Sequence, residues 1–137
     1  MSVCLTTFTV FAACKPNPVQ MTGVVTATFL ELSGSKARFD LANGTSQLII
    51  FLGSRESKSE PDPSNSFITC ESSVGMTRYS HVIDIPAPKE ERIKVPAGER
   101  IKLVANIRVG LESRGNHCVF SMRLSDGKMV ESSPFVP

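Results

Sequence analysis

Few side chains in this sequence have the reactivity that catalysis or metal binding requires. The candidates are the cysteines and histidines: Cys4, Cys14, Cys70, Cys118, His81 and His117. The chain contains no motif typical of a serine hydrolase, a P-loop, a dinucleotide site or a zinc protease. His81 and Asp84 lie three positions apart, so a β-strand would point them to opposite faces and would not pair them. We therefore expect no catalytic residue and no cofactor.

The spacing of these residues also argues against a metal site. There is no Cys-x-x-Cys or His-x₃-His pair, and the adjacent His117 and Cys118 would point to opposite faces of a strand. A calcium site needs several converging oxygens. Glu60, Asp62 and Asn65 could supply three of them. A metal site is the less favoured alternative, and we expect none.

The N-terminal residues have the character of an export signal. Residues 3–13 are apolar or hydroxylated and uncharged, and they are too few to span a bilayer. They lead into Phe11-Ala12-Ala13-Cys14, which resembles the lipobox of bacterial lipoprotein signal peptides. The resemblance implies cleavage before Cys14, a lipid on its sulfur and a tether that starts with residues 15–18. A cleaved signal without lipid and a plain first strand are the alternatives.

The same resemblance decides how the cysteines are used. Cleavage would remove Cys4 and acylation would occupy Cys14, which leaves Cys70 and Cys118. The resemblance thus implies a disulfide between these two in an oxidising compartment. Such a closed loop would contribute roughly 4 kcal/mol in the chain-entropy model. Two buried free thiols are the alternative.

The composition describes a folded domain with no preference for nucleic acid. Its 137 residues are 41% hydrophobic and 20% charged, which suits one domain with a core of its own. Lys and Arg number 15 against 13 Asp and Glu, so the net charge of +2 gives no broad basic field. The chain has no Trp and one Tyr, so a base-stacking surface is not expected.

Short β-strands dominate the hydrophobic pattern. Residues 37–41 and 101–107 alternate apolar and polar side chains, which predicts half-buried strands. The continuous apolar run 47–53 predicts a strand buried on both faces, and Asn43-Gly44 before it predicts a tight hairpin turn. No segment sustains a helical period. Eight or nine strands at this spacing predict a β-sandwich, with a small β-barrel as the alternative.

The turn between two of the strands carries a second resemblance. Val95-Pro96-Ala97-Gly98-Glu99, flanked by strands, resembles the edge turns of immunoglobulin-like sandwiches in bacterial envelope proteins. The resemblance covers roughly residues 36–131 and transfers no functional residue. It implies an all-β, immunoglobulin-like sandwich of about eight antiparallel strands over residues 22–137. A signal peptide (1–13) and a lipid-anchored tether (14–21) would precede it.

The segment 54–66 differs sharply from the strands around it. It is rich in Ser, Glu, Lys and Pro and holds no large apolar residue, which predicts a long solvated loop. Long irregular loops in compact domains are often functional or disordered. The candidate partner contacts are its charged and amide residues: Arg55, Lys58, Glu60, Asp62 and Asn65.

These features predict a non-catalytic binding or accessory module of the bacterial envelope. By the lipoprotein resemblance, Lys15 after the cysteine favours the outer membrane, facing the periplasm. The expected partner is an envelope protein or a glycan, the protein is expected to be a monomer, and no nucleic acid is expected. The competing class is an inhibitor of a cell-wall-degrading enzyme or a small hydrolase, which would need convergent polar residues in a pocket.

Overall fold

Strands account for all the regular structure in the computed structural model, which describes residues 19–55, 60–80, 89–106 and 117–137. The strands are β1 Val25–Ser33, β2 Lys36–Asn43, β3 Ile49–Ser54, β4 Asp62–Pro63, β5 Ser66–Ser72, β6 Gly75–Ser80, β7 Glu90–Val95, β8 Arg100–Asn106, β9 Cys118–Arg123 and β10 Met129–Glu131. Over these ranges there is no helix of the length and apolarity needed to cross a membrane.

The strands form three antiparallel sheets, in the orders β1-β2-β8, β10-β9-β5-β6 and β4-β3-β7. Isolated bridges join Ala27 to Ser132 and Cys118 to Phe135, so the C-terminal segment connects the first two sheets. Over the described ranges none of the sheets closes into a barrel. The predicted all-β sandwich is confirmed, and the barrel alternative is not.

The core lies between the inner faces of these sheets. Phe39 of β2 and Phe120 of β9 are fully buried, and their rings stack with centroids 4.2 Å apart. Phe51 of β3 and Ile93 of β7 close the core from the third sheet. The outward positions of β2 are half-buried or exposed, as the predicted alternation requires. The period-2 pattern therefore identified β2 correctly.

Strand β3 is not buried on both faces, so that prediction is wrong. Ile49 and Phe51 are buried, but Ile50 and Leu52 are half-buried and Leu48 is 49% exposed. The core covers only the inner face of the β4-β3-β7 sheet, because the outward positions of β3 are half-buried and those of β7 are exposed. The apolar run therefore leaves one row of apolar side chains accessible.

The segment after β2 is not a hairpin, because β2 and β3 belong to different sheets. Asn43 is completely buried, and its Nδ2 donates hydrogen bonds to the carbonyls of Gln47 (2.8 Å) and Val95 (2.9 Å). Its Oδ1 accepts from the Thr45 N–H at 3.1 Å. A Cβ on Gly44 would stand 2.7 Å from the Val24 carbonyl oxygen. Asn43 and Gly44 thus hold the segment by which the chain passes from one sheet to another. Position 44 requires glycine because the Val24 carbonyl approaches so closely.

The described part of segment 54–66 is not a solvated loop. It contains β4, which pairs with β3, and Pro61 and Pro63 are among the fully buried side chains. The Pro61 carbonyl accepts a hydrogen bond from the N–H of Val104 in β8 at 3.0 Å. The prolines allow this because an edge strand tolerates residues without an N–H donor. Lys58 lies outside the described residues.

The predicted disulfide between Cys70 and Cys118 is confirmed. The two residues are directly opposite each other in the neighbouring strands β5 and β9, with their Cα atoms 4.1 Å apart, and both are buried. The bond therefore joins two strands of one sheet. In antibody-type immunoglobulin domains the disulfide instead connects the two sheets. The disulfide of this chain therefore differs from theirs in the strands that it joins.

Candidate functional site

The open face of β3 forms the floor of a groove made of three adjoining depressions, of about 520, 380 and 440 Å³. The first and second depressions share Arg92 and Ser125, and the second and third share Asn65 and Arg123. Because the depressions share walls, they form one continuous surface. We call it the basic groove, and its principal residues are Leu48, Ile50, Leu52, Arg92, Arg123 and Lys128.

The floor of the basic groove is apolar because of the alternation in β3. Ile50 and Leu52 point outward between the buried positions of that strand, and Leu48 precedes them in the same phase. Leu124, in the turn after β9, adjoins this row. The Ser125 N–H donates to the Ile50 carbonyl at 2.8 Å, which fixes this turn against β3. The floor is thus built on backbone hydrogen bonds and is held in place.

Cations line the sides of the groove. Arg92 pairs in register with Leu52 and so shares its face, and Arg123 ends β9. Lys128 lines the first depression and Arg78 the third, where its guanidinium packs 4.1 Å from the centroid of the Phe67 ring. These four cations face one lining carboxylate, and the whole chain has a net charge of only +2. The lining of the groove therefore carries more positive than negative side chains.

The two arginines at the junctions of the depressions have no acidic partner. In the part of the chain that the structure describes, no carboxylate oxygen lies within 4.0 Å of Arg92 or Arg123. The lining carboxylate, Asp126, lies 3.8 Å from Lys128 instead. Arginine donors without an internal acid can bind an external one without breaking an existing pair. The arrangement suits an anionic ligand with an apolar part.

The predicted contact residues do not converge on this groove. Asn65 lines it, whereas the Nε of Arg55 pairs with Glu91 at 2.9 Å and Glu60 pairs with Arg38 on β2. Asp62 lies half-buried in β4. Sequence reasoning missed the groove itself because its parts come from β3, β7 and the β9–β10 turn. The available signal is the apolar run 47–53, which by itself predicts a strand buried on both faces.

Glu60 belongs to a charged cluster with Arg38 and Glu31, none of which lines the three depressions. Arg38 donates from Nε to Oε2 of Glu60 at 3.0 Å and makes a second hydrogen bond from Nη2 to Oε1. A further bond joins it to Glu31. The hydrogen bonds from Arg38 hold the pKa of Glu60 below its usual value, and the two carboxylates raise the pKa of Arg38. This cluster fastens residue 60 to β2.

The reactive residues of the sequence do not gather at the groove either. Cys70 and Cys118 bond to each other, and the carbonyl of His117 accepts from the Glu71 N–H near that disulfide. Cys14 and His81 lie outside the described residues. Across the described ranges, no group of three or more His, Cys, Asp or Glu side chains is arranged to hold a metal ion. The expectation that no metal binds stays a prediction.

No protein-family model matches this sequence, and neither a curated protein nor a solved structure is similar to it. A function for the chain therefore has to be inferred from the chemistry of its own surface. The basic groove is the strongest basis, because it combines a fixed apolar floor with arginines that have no acidic partner among the described residues.

Proposed function

We propose that this chain is a non-catalytic binding module of the bacterial envelope and that the basic groove binds an anionic ligand. The observation that carries the proposal is the pair Arg92 and Arg123, which stand over an apolar floor without an acidic partner in the described chain. A guanidinium binds carboxylate or phosphate in a two-pronged geometry, and such charge-assisted hydrogen bonds are the stronger ones.

The groove would orient its ligand through two kinds of contact. The acidic group would bind Arg92 and Arg123, and the apolar part would lie on Ile50, Leu52 and Leu124. The Asn65 amide at the junction of two depressions can both donate and accept hydrogen bonds. A ligand with both features would gain from each contact, whereas a neutral or basic one would leave the arginines unpaired.

A test of anion binding uses two small probes, glycerol phosphate and succinate, with isotope-labelled protein carrying Cys14→Ser. We expect NMR shifts at the backbone amides of Leu52 and Ser125, because these residues line the groove beside the arginines. The double variant Arg92→Gln and Arg123→Gln should lose these shifts. The matched control Arg55→Gln removes a cation outside the groove and should keep them. Shifts that are absent, or equal in both variants, would contradict the proposal.

We further propose that the protein is exported and anchored by a lipid on Cys14, at the outer membrane and facing the periplasm. The support is Ala12-Ala13-Cys14 together with the disulfide between the two cysteines that cleavage would leave. Such disulfides persist in oxidising compartments. Two or more acyl chains would make the anchoring stable, since each buried CH₂ contributes about 0.8 kcal/mol.

The anchor is tested on protein extracted from membranes. Its intact mass should show the loss of residues 1–13 and the addition of acyl chains. Cys14→Ser should release the protein from the membrane fraction, while Cys4→Ser, the matched control within the predicted signal, should leave the mature protein unchanged. A mass that retains Met1 would show that the anchor is wrong.

A further inference from the structure

The chain enters the sandwich beside the first depression of the basic groove. We call the end of that depression that holds Gly23, Leu48 and Lys128 the groove mouth. Val19 is buried, and backbone hydrogen bonds join Gly23 N to Gly44 O (2.9 Å) and Gly44 N to Val24 O (3.0 Å). Gly23 also lines the groove, in the same depression as Lys128. The position of the first described residues is thus tied to the groove mouth by direct contacts.

The predicted tether is too short to carry this end away from a membrane. Of the predicted tether (14–21), only residues 15–18 lie between Cys14 and the buried Val19. An extended chain spans at most about 3.6 Å per residue, so these five steps reach about 18 Å. A lipid on Cys14 would hold Val19 within that distance of the bilayer surface, and Gly23 at the groove mouth lies only four residues further along the chain. This step rests on the proposed lipid anchor.

Apolar side chains are exposed around the groove mouth. Met21, Val24 and Leu48 are 58%, 53% and 49% exposed. The Met21 Sδ lies 3.7 Å from where a side chain on Gly98 would begin, and the Gly98 N–H bonds to the Asn43 carbonyl, so these residues share one end. Clustered exposed apolar side chains mark protein or membrane contact surfaces.

Cations stand beside these apolar side chains. The Lys128 side chain is 81% exposed, Arg92 lines the same depression, and Lys94 pairs in register with Ile50 on the open face of β3. Asp126 offsets part of this charge at Lys128. Exposed apolar residues next to Lys and Arg are the combination that binds the interface of an anionic membrane.

We propose that the groove mouth lies in the headgroup layer of the membrane and that the anionic ligand of the groove is a phospholipid of that membrane. Met21, Val24 and Leu48 would enter the interface, while Lys128 and Arg92 would bind lipid phosphates. The inference deepens the proposed anion binding by naming its source. It also explains why apolar residues and cations occur together at the end from which the tether leaves.

The test uses the full chain with Cys14→Ser, which cannot be acylated at that position, in flotation with two kinds of vesicle. We expect binding to vesicles that contain phosphatidylglycerol and little binding to pure phosphatidylcholine. Lys128→Ser should weaken this binding about fivefold, the effect of one cation near an anionic surface. Leu48→Ser should also weaken it about fivefold, because it removes a half-exposed apolar side chain.

Two matched controls lie outside the groove, at the start of β2 and in the turn between β5 and β6. Lys36→Ser and Val74→Ser remove an exposed lysine and an apolar side chain that is 93% exposed, and each should change vesicle binding less than twofold. Equal binding to both vesicles, or equal losses in the controls, would overturn the proposal. Tighter binding to a polyglutamate peptide than to the anionic vesicles would also overturn it, in favour of an acidic polymer.

The outcome also separates this inference from the anchor on which it rests. If the Cys14→Ser protein binds vesicles in a way that depends on Lys128 and Leu48, and the wild-type protein extracted from membranes has no acyl chain on Cys14, the phospholipid contact is upheld and the anchor is rejected. An acylated Cys14 without selective vesicle binding would uphold the anchor and reject the contact.

Discussion

At the scale of single residues, Asn43 shows how one buried amide can organise two crossings between sheets. Its side chain bonds to Gln47 and Val95, and its backbone N–H and C=O bond to the backbone at Glu99 and Gly98. Every polar atom of this fully buried residue therefore has a partner. Leaving such partners unsatisfied in the interior carries the desolvation penalty of each group.

We expect Asn43→Ala to lower the free energy of unfolding by about 2–4 kcal/mol, because it removes the buried donor to the Val95 carbonyl and the acceptor of the Thr45 N–H. The measurement is equilibrium urea unfolding. Asn65→Ala is the matched control, since Asn65 is exposed, and it should cost less than about 0.5 kcal/mol. A loss below about 1 kcal/mol for Asn43→Ala would show that these hydrogen bonds are not decisive.

The Arg38–Glu60 pair predicts a pH dependence of stability. The pKa of Glu60 lies below its ordinary value of 4.5, so its contribution is fully present above that pH and is lost as the pH falls toward the lowered pKa. Arg38→Gln should remove this acid-dependent loss. Urea midpoints at pH 7 and pH 3 measure it, with Arg55→Gln as the control for another surface ion pair. An unchanged acid slope in Arg38→Gln would contradict this role.

At the scale of elements, the hydrophobic pattern predicts which residues form strands more accurately than it predicts what packs on each face of a strand. The alternation in β2 arises because one face of the strand is buried, and this is visible in the sequence as apolar and polar residues in turn. Whether β3 is covered on one face or two depends on the packing of its sheet, which periodicity does not contain. The hydrogen bond from Asn43 to Val95 joins segments that are far apart in the sequence. The depression that Arg92 and Arg123 line together does the same. Local signals from turn residues and charges predict neither of these two long-range arrangements.

The pairing of β4 with β3 depends on a close approach at Gly53. A Cβ on Gly53 would stand 2.9 Å from the Asp62 carbonyl oxygen, closer than normal contacts allow. Gly53→Ala should therefore push β4 away from β3 and cost about 1–3 kcal/mol, as overpacking does. Ser54→Ala, the next position on β3, is the control and should be close to neutral in urea unfolding. Equal stability of the two variants would mean that β4 is free to move.

At the scale of the whole molecule, the disulfide closes a loop that contains much of the chain. Cys70 and Cys118 are 48 residues apart, and the loop between them contains β6, β7 and β8. These strands belong to all three sheets. Closing the loop lowers the conformational entropy of the unfolded chain and so favours the formation of all three sheets. The hydrogen bonds between β5 and β9, in contrast, stabilise only one sheet.

We expect reduction of this bond to lower the free energy of unfolding by about 4 kcal/mol, the chain-entropy value for a loop of this length. Comparing oxidised with reduced protein keeps every side chain in place, and the Cys14→Ser background removes a competing thiol. Both sulfurs are buried, so reduction should be slow in buffer and fast in urea. Mass spectrometry after alkylation confirms the state of each cysteine. A difference below about 1 kcal/mol would show that the backbone pairing of the three sheets, and not the crosslink, determines the stability of the sandwich.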